Sequence, residues 1–343
     1  MEYGRSVDYG LWSSCFELIR SQRREAGQVG NEKTSVALLS VASNTLLTSS
    51  KLVVGFLSGS VSIISEGIHS GIDLLAACIA YFSVRESDKP ADSRHEYGHG
   101  KIENISGTIE ALLIFVAVVL IVIESIRKLA QIINGEDVEV GSVGLSIGLV
   151  VMGCSALINM FVSARLMKVA KKTDSVALEA DALHLRTDVY TSVGVFVGLL
   201  VIRFTGWHIV DPLIALGVAL MISKAAYDLV KKAFFPLIDV SLPEEEKAII
   251  AEAINRHKSE FLEFHALRTR KAGAERHVDL HLVVPKTASI AEVHELCDMI
   301  EMEISERLTG VHVLIHTEPC NVHEMQCPTE DEASIACDRC QSK

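Results

Sequence analysis

Apolar and polar positions along the chain divide it into six long hydrophobic runs followed by a segment of soluble character. Windows long enough to cross a hydrocarbon layer, about 20 residues each, fall at roughly 35–57, 61–83, 104–129, 142–166, 176–203 and 209–235. The pattern changes from about Pro243 onward. SLPEEEKAIIAEAINRH reads as a helix start, with Ser241 as N-cap, Pro243 in the first turn and three glutamates at the positive end of the helix dipole. HALRTRKAG and RHVDLHLVV then alternate as strands, with Lys271 to Ala274 as the turn between them. ASIAEVHELCDMIEMEISERL carries apolar residues at helical spacing, and GVHVLIHTEP alternates again until Pro319 stops it. Helix, strand, strand, helix, strand in that order predicts a small α+β domain with its helices on one face of a three-stranded sheet. The terminal stretch CNVHEMQCPTEDEASIACDRCQSK has no periodicity and reads as loose.

Composition supports the membrane reading. Of 343 residues 49% are hydrophobic, and the mean hydropathy is +0.32, too apolar for a soluble domain of this size. A net charge of -12 and few aromatics argue against nucleic acid as partner, because phosphate binding needs clustered Lys and Arg. The eight cysteines are scattered and read as reduced thiols rather than a disulfide frame. The first 34 residues lack the apolar core of a signal peptide and read as a cytoplasmic leader with a short amphipathic helix. Six spans put both termini on one side. Arg85, Lys89, Arg94 and Lys101 follow span 2, Arg165, Lys168, Lys171 and Lys172 follow span 4, and Lys224, Lys231 and Lys232 close span 6. The opposite loops are LSGS and the acidic QIINGEDVEVG, Arg203 being the main exception, so the positive-inside rule places both termini in the cytoplasm.

Ionisable residues inside such spans are costly, at least about 2.5–3.5 kcal/mol each on insertion scales. His69 and Asp73 in span 2 stand four residues apart and share one helix face, and His184 and Asp188 repeat the arrangement in span 5. Two H-x-x-x-D pairs can converge to offer two imidazole nitrogens and two carboxylate oxygens in a tetrahedron, a set suited to Zn²⁺. Glu66 and Asp181, three residues before each histidine, are read as polar groups near helix ends in water rather than as acids that guide ions in.

HSGID in span 2, ADALHLRTD in span 5, PADSRHEYGHGK after span 2 and HTEP at the end of the last strand together resemble the cation diffusion facilitators, from about residue 35 to 320. That resemblance implies a membrane α-helical bundle of six transmembrane helices plus a cytoplasmic α+β ferredoxin-like, metallochaperone-like C-terminal domain. It divides the chain into a leader 1–34, a transmembrane domain 35–238, a ferredoxin-like domain 239–319 and a Cys-containing tail 320–343. It further implies a homodimeric exporter of divalent transition metals, exchanging them for protons by alternating access, with His69, Asp73, His184 and Asp188 as transport ligands. Where many prokaryotic members carry aspartate, this chain has His69, as in the quartet of eukaryotic zinc transporters. The nitrogen-rich set favours Zn²⁺ over Mn²⁺ or Mg²⁺. Cd²⁺, Co²⁺, Ni²⁺ and Fe²⁺ are the alternative substrates, with Cd²⁺ and Fe²⁺ disfavoured. Zn²⁺ requires neutral imidazole and ionised carboxylate, so metal and protons displace one another, and imidazole ordinarily titrates near pH ~6.5.

The resemblance also implies a loop site at Asp92, His95 and His99, and a regulatory Zn²⁺ site near the dimer interface from His265 ahead of strand one, His281 on strand two, His294 on the second helix, and His316 and Glu318 on strand three. Filling the latter would tighten the cytoplasmic domains. Lys101 is expected to pair with Asp239 across the dimer. His277, expected at the opposite strand parity to His281, and His312 are assigned structural roles. In the tail, Cys320, His323, Cys327, Cys337 and Cys340 match no standard zinc module, and a disordered acidic end is the reading preferred over a metal-donating one. An intramembrane metalloenzyme is disfavoured, because no H-E-x-x-H is present and a closed ligand set leaves no position for water. A membrane-anchored metal sensor is the alternative function, although it leaves the paired motifs in spans 2 and 5 unexplained. The compact span 4 to span 5 loop, without a His-rich insertion, points to a prokaryotic cytoplasmic membrane.

Overall fold

The computed structural model describes residues 9–58, 61–134, 145–205 and 209–320. The chain divides into two units, Met1–Phe234 and Phe235–Lys343.

The first unit is a bundle of six helices: α1 (Tyr9–Ser58), α2 (Val61–Ser87), α3 (Lys101–Ile133), α4 (Leu145–Thr173), α5 (Val176–Thr205) and α6 (Val210–Phe234). Four of the expected hydrophobic windows each lie within one of them, while 142–166 begins before α4 in residues outside those described and 209–235 exceeds α6 by one residue at each end. The expected separate leader helix does not occur: α1 is continuous for 50 residues from Tyr9. LIRSQRREAGQVGNEK holds good helix formers and no proline, so nothing breaks the helix before the apolar run begins. Among the described residues, four helices are long and apolar enough to cross a membrane, Gly30–Leu57, Gly67–Ser87, Lys101–Ile133 and Pro212–Ile238.

α5 is the centre of the bundle. Its Leu178, Ala182 and Leu185 pack with Val84 of α2 and Val162 and Leu166 of α4, while its Ala180 joins Ile114 and Val118 of α3 and Ile222 and Leu229 of α6. A helix enclosed on several sides can carry polar groups inward only if neighbouring helices meet them. Outward-facing Leu46, Phe56, Leu75, Phe82, Leu112, Leu120 and Leu220 are exposed, a surface suited to lipid rather than water. The turn between α4 and α5 is short. Asp174 adopts a left-handed φ of 51°, Ser175 N–H returns to Ala170 O at 3.1 Å, and Ser175 Oγ accepts from Leu178 N–H at 3.4 Å as the N-cap of α5.

The second unit opens with a short 3-10 helix, Phe235–Ile238, followed by α7 (Glu244–Arg256), β1 (Glu263–Ala272), β2 (Glu275–Val284), α8 (Ile290–Arg307) and β3 (Val311–Pro319). The element order matches expectation. β2 is central, antiparallel to β1 and parallel to β3. Val278, Leu280 and Leu282 of β2 point to one face, where Ile250 and Ile254 of α7 and Leu296, Ile300 and Ile304 of α8 close the core. α7 begins later than expected. Pro243, not Ser241, is its N-cap, held at an extended ψ of 151° with no side-chain cap. α8 carries a full capping box between Ser289 and Glu292. Gly310, at φ +65°, makes the turn into β3 with its backbone against Ala274 O, where a Cβ would stand 3.2 Å away.

Candidate metal centres

The membrane-spanning unit brings three of the four expected intramembrane ligands together. α2 supplies Asp73, and α5 supplies His184 and Asp188 from successive turns of one face. Ligand atoms of these three residues all lie within 4.8 Å of one another. His184 Nε2 is 3.2 Å from Asp73 Oδ1, and both residues are buried. His69 stands one turn from Asp73 on the wall of the same cavity, outside that tight group. The cavity has a volume of about 150 Å³ and is also lined by Asn44, Leu47 and Lys51 of α1, Ser70 of α2, Ser155, Ala156 and Asn159 of α4, and Thr191 and Ser192 of α5. Two carboxylates and one or two imidazoles around such a space can bind a borderline transition-metal cation. Asp181 departs from expectation. It is not in water near a helix end but 1% exposed, with Ser40 of α1 beside it, because α5 is enclosed from its first turns. The side chain of Glu66 lies outside the described residues.

In the loop between α2 and α3, Asp92, His95 and His99 form a second group within 4.8 Å. Asp92 Oδ2 lies 3.3 Å from His99 Nε2, Asp92 Oδ1 lies 3.4 Å from His95 Nδ1, and the two rings are 4.5 Å apart. Asp92 Oδ1 accepts from the backbone N–H of His95 at 2.7 Å and of Arg94 at 2.8 Å. Those two bonds, His95 first, hold the Asp92 carboxyl below the usual carboxylate range. The loop is therefore folded around its own carboxylate.

On the sheet face away from the helices, His265, His281 and Glu318 form the third group. His281 Nδ1 is 2.8 Å from Glu318 Oε1, and His265 Nε2 is 3.6 Å from Glu318 Oε2. His265 lies within β1 rather than ahead of it, and a bulge positions it. His265 pairs with His281 but Arg268 pairs with Asp279, so β1 holds one extra residue here, and Ala266 absorbs it at φ 52°. The bulge turns His265 to the face of His281. His316 shares that face, its ring 4.9 Å from that of His281 and its Nε2 3.8 Å from Glu318 Oε1. His294 lies apart on α8, exposed and 3.7 Å from Asp298. The expected parity of His277 is corrected. Four residues from His281 on one strand, it shares the same face, and its ring stacks on that of His312 at 5.3 Å. Asp239, expected to meet Lys101, lies 3.8 Å from Arg270 within its own unit.

The sequence reading missed Asn44, Lys51, Ser70, Ser155 and Asn159 as cavity residues. Their signal was available as polar residues at helical spacing in apolar runs, Asn44 and Lys51 two turns apart and Ser155 and Asn159 one turn apart. Among the described residues Cys78, Cys154, Cys297 and Cys320 are free thiols. The expectations for His323, Cys327, Cys337 and Cys340 lie outside the described residues.

Comparison with known proteins adds to this geometry. The family model for the cation efflux transmembrane domain matches residues 37–238, and that for the cation efflux protein cytoplasmic domain matches residues 242–320. The uncharacterized transporter sll1263 of Synechocystis sp. is 33% identical over 82% of this chain and 89% of its own length. The cation-efflux pump FieF of Salmonella choleraesuis is 30% identical over 84% of this chain and 93% of its own. A solved structure of CzrB in its Zn form is 36% identical, covering 26% of this chain and 99% of that chain with a TM-score of 0.24.

Proposed function

Because the chain belongs to the cation diffusion facilitator family and is thus an integral membrane protein for divalent-metal efflux rather than an enzyme, we propose that it exports Zn²⁺ from the cytoplasm in exchange for protons. In this reading α1 to α6 all span the bilayer, both termini face the cytoplasm of a prokaryotic cell, and two copies form the working unit. His69, Asp73, His184 and Asp188 hold the transported ion.

The observation that carries the reading is the convergence of Asp73, His184 and Asp188 from two helices around one buried cavity. His184 Nε2 lies 3.2 Å from Asp73 Oδ1, and when it carries a proton it donates to that carboxylate. A metal ion placed between these atoms must take the nitrogen lone pair, so a proton on that nitrogen has to leave it as the ion arrives, to solvent from an imidazolium or to Nδ1 in a neutral ring. Proton return on the far side then expels the ion. His69, one turn from Asp73 on the cavity wall, is the fourth ligand in this reading. A nitrogen-rich set of this kind favours Zn²⁺, and Co²⁺ or Ni²⁺ after it, over hard oxygen-seeking ions.

The groups at Asp92, His95 and His99 and at His265, His281, His316 and Glu318 act as further Zn²⁺ sites in the cytoplasm, the second regulating the dimer. His294 is the remaining proposed ligand of that second site, and within one chain it lies 3.7 Å from Asp298.

Zn²⁺ flux into proteoliposomes under an imposed pH gradient tests the proposal, with lumenal pH and metal recorded together. Metal movement matched by opposite proton movement, and lost in Asp188→Ala, is the expected result. Binding of Zn²⁺ with no movement of either ion would leave a membrane-anchored sensor instead.

A further inference from the structure

Lys51 is a charge that the ligand set does not explain. It lies on α1 within the apolar run Gly30–Leu57 and is 5% exposed. Its Nζ donates to Ser70 Oγ at 2.7 Å. Ser70 follows His69 directly and precedes Asp73 by one turn. Lys51 thereby lines the same 150 Å³ cavity as His69, Asp73 and Asp188, and its charge reaches Asp188. An ammonium loses much hydration on burial, and two carboxylates that share the space offset part of that cost.

We propose that Lys51 is a built-in counter-cation of the metal cavity, a positioning residue that balances the empty site and weakens retention of the bound ion. This rests on the reading of Asp73, His184 and Asp188 as transport ligands. With both carboxylates ionised and both imidazoles neutral the empty cavity carries two negative charges, and Lys51 cancels one of them. A divalent ion brings the sum to one net positive charge, whereas without Lys51 it would reach neutrality. In a space of low dielectric this residual positive charge opposes tight binding. An exporter needs that opposition, because a site that holds its cargo too firmly cannot release it. Ser70 fixes where the opposition acts by tethering Nζ beside the His69–Asp73 turn.

The test uses the full-length protein in lipid nanodiscs and proteoliposomes, with Zn²⁺ as the probe. The component of Zn²⁺ binding lost in Asp188→Ala isolates the cavity from the cytoplasmic sites. For that component, Lys51→Met is expected to bind at least about tenfold tighter than wild type, with slower flux at saturating Zn²⁺. Lys51→Gln keeps a donor for Ser70 without the charge and should behave in the same way, which protects the test should the methionine variant fold poorly. Lys51→Arg keeps the charge and should restore wild-type affinity. Wild-type or weaker affinity in the folded neutral variants overturns the proposal, as does equal tightening in the arginine variant. If Asp188→Ala loses no binding at all, the transport-site reading itself fails.

Discussion

Lys33 Nζ lies 3.1 Å from Glu103 Oε1, with side chains only 6% and 2% exposed. Lys33 also reaches Asp88 at 3.0 Å, and Glu103 accepts from Ser87 Oγ at 3.0 Å and Ser175 Oγ at 2.5 Å. One carboxylate thus ties α1, the end of α2, α3 and the α4–α5 turn together. Removing Lys33 strands the buried Glu103 charge, at a cost of about 3–5 kcal/mol, whereas removing Glu103 leaves Lys33 its Asp88 partner and costs less. Glu103→Leu and Lys33→Met should each lower the thermal unfolding temperature of the purified protein markedly. The double variant should recover part of the loss, and additive losses would show that the pair is not coupled.

Asp73→Ala and Asp188→Ala should each abolish metal flux while leaving the protein folded. Both residues line a cavity rather than fill a packed core, so truncation removes a ligand without opening a large void. Flux at the wild-type rate in either variant, measured in proteoliposomes, would remove the centre of the proposed mechanism.

His69→Asp exchanges a nitrogen donor for a charged oxygen on the cavity wall. The expected result is broader selectivity, with Cd²⁺ transport rising relative to Zn²⁺ in competition assays. Unchanged selectivity would assign the choice of ion to the groups that orient the ligands.

Deleting Ala266 should remove the bulge between His265 and Arg268. Regular pairing would then run Arg268–Asp279, Leu267–Leu280 and His265–His281, so His265 should keep its face and Zn²⁺ binding attributable to Glu318 should be retained. A crystal or NMR structure of the variant checks the register directly, and His265→Ala, expected to weaken that binding by about tenfold or more, tests the ligand itself: full retention there would show that His265 is not one.

Cys297 should alkylate more slowly than an unperturbed thiol at neutral pH. Burial first, and then the neighbouring Glu301 and Asp298, push its thiol up. A raised value means less thiolate at any given pH, and the thiolate is the reactive form. The rate should climb only as pH rises beyond the ordinary thiol range, and fast iodoacetamide modification near pH 7 would contradict the packing of α8 against the sheet.

How much of this was legible from residues alone follows the distance over which each feature acts. Hydrophobic periodicity located all six long helices and the order of the C-terminal elements, because period and length are properties of a single segment. His184 and Asp188 were found for the same reason, since residues four apart on a helix share a face whatever surrounds it. The loop group of Asp92, His95 and His99 needed only eight residues and an Asx turn.

Features that join distant segments were decided by packing. Lys51 and Ser70 are 19 residues apart and meet only because α1 and α2 run side by side. Asp181 was placed in water by its position near a helix start, yet the enclosure of α5 buries it. His265 faces His281 through one inserted residue at Ala266, which alternation along β1 could not reveal. Local sequence determines what each segment is and which side chains share its face. Only the tertiary structure decides which faces meet, because that choice minimises buried unpaired charge and unfilled space over the whole bundle at once.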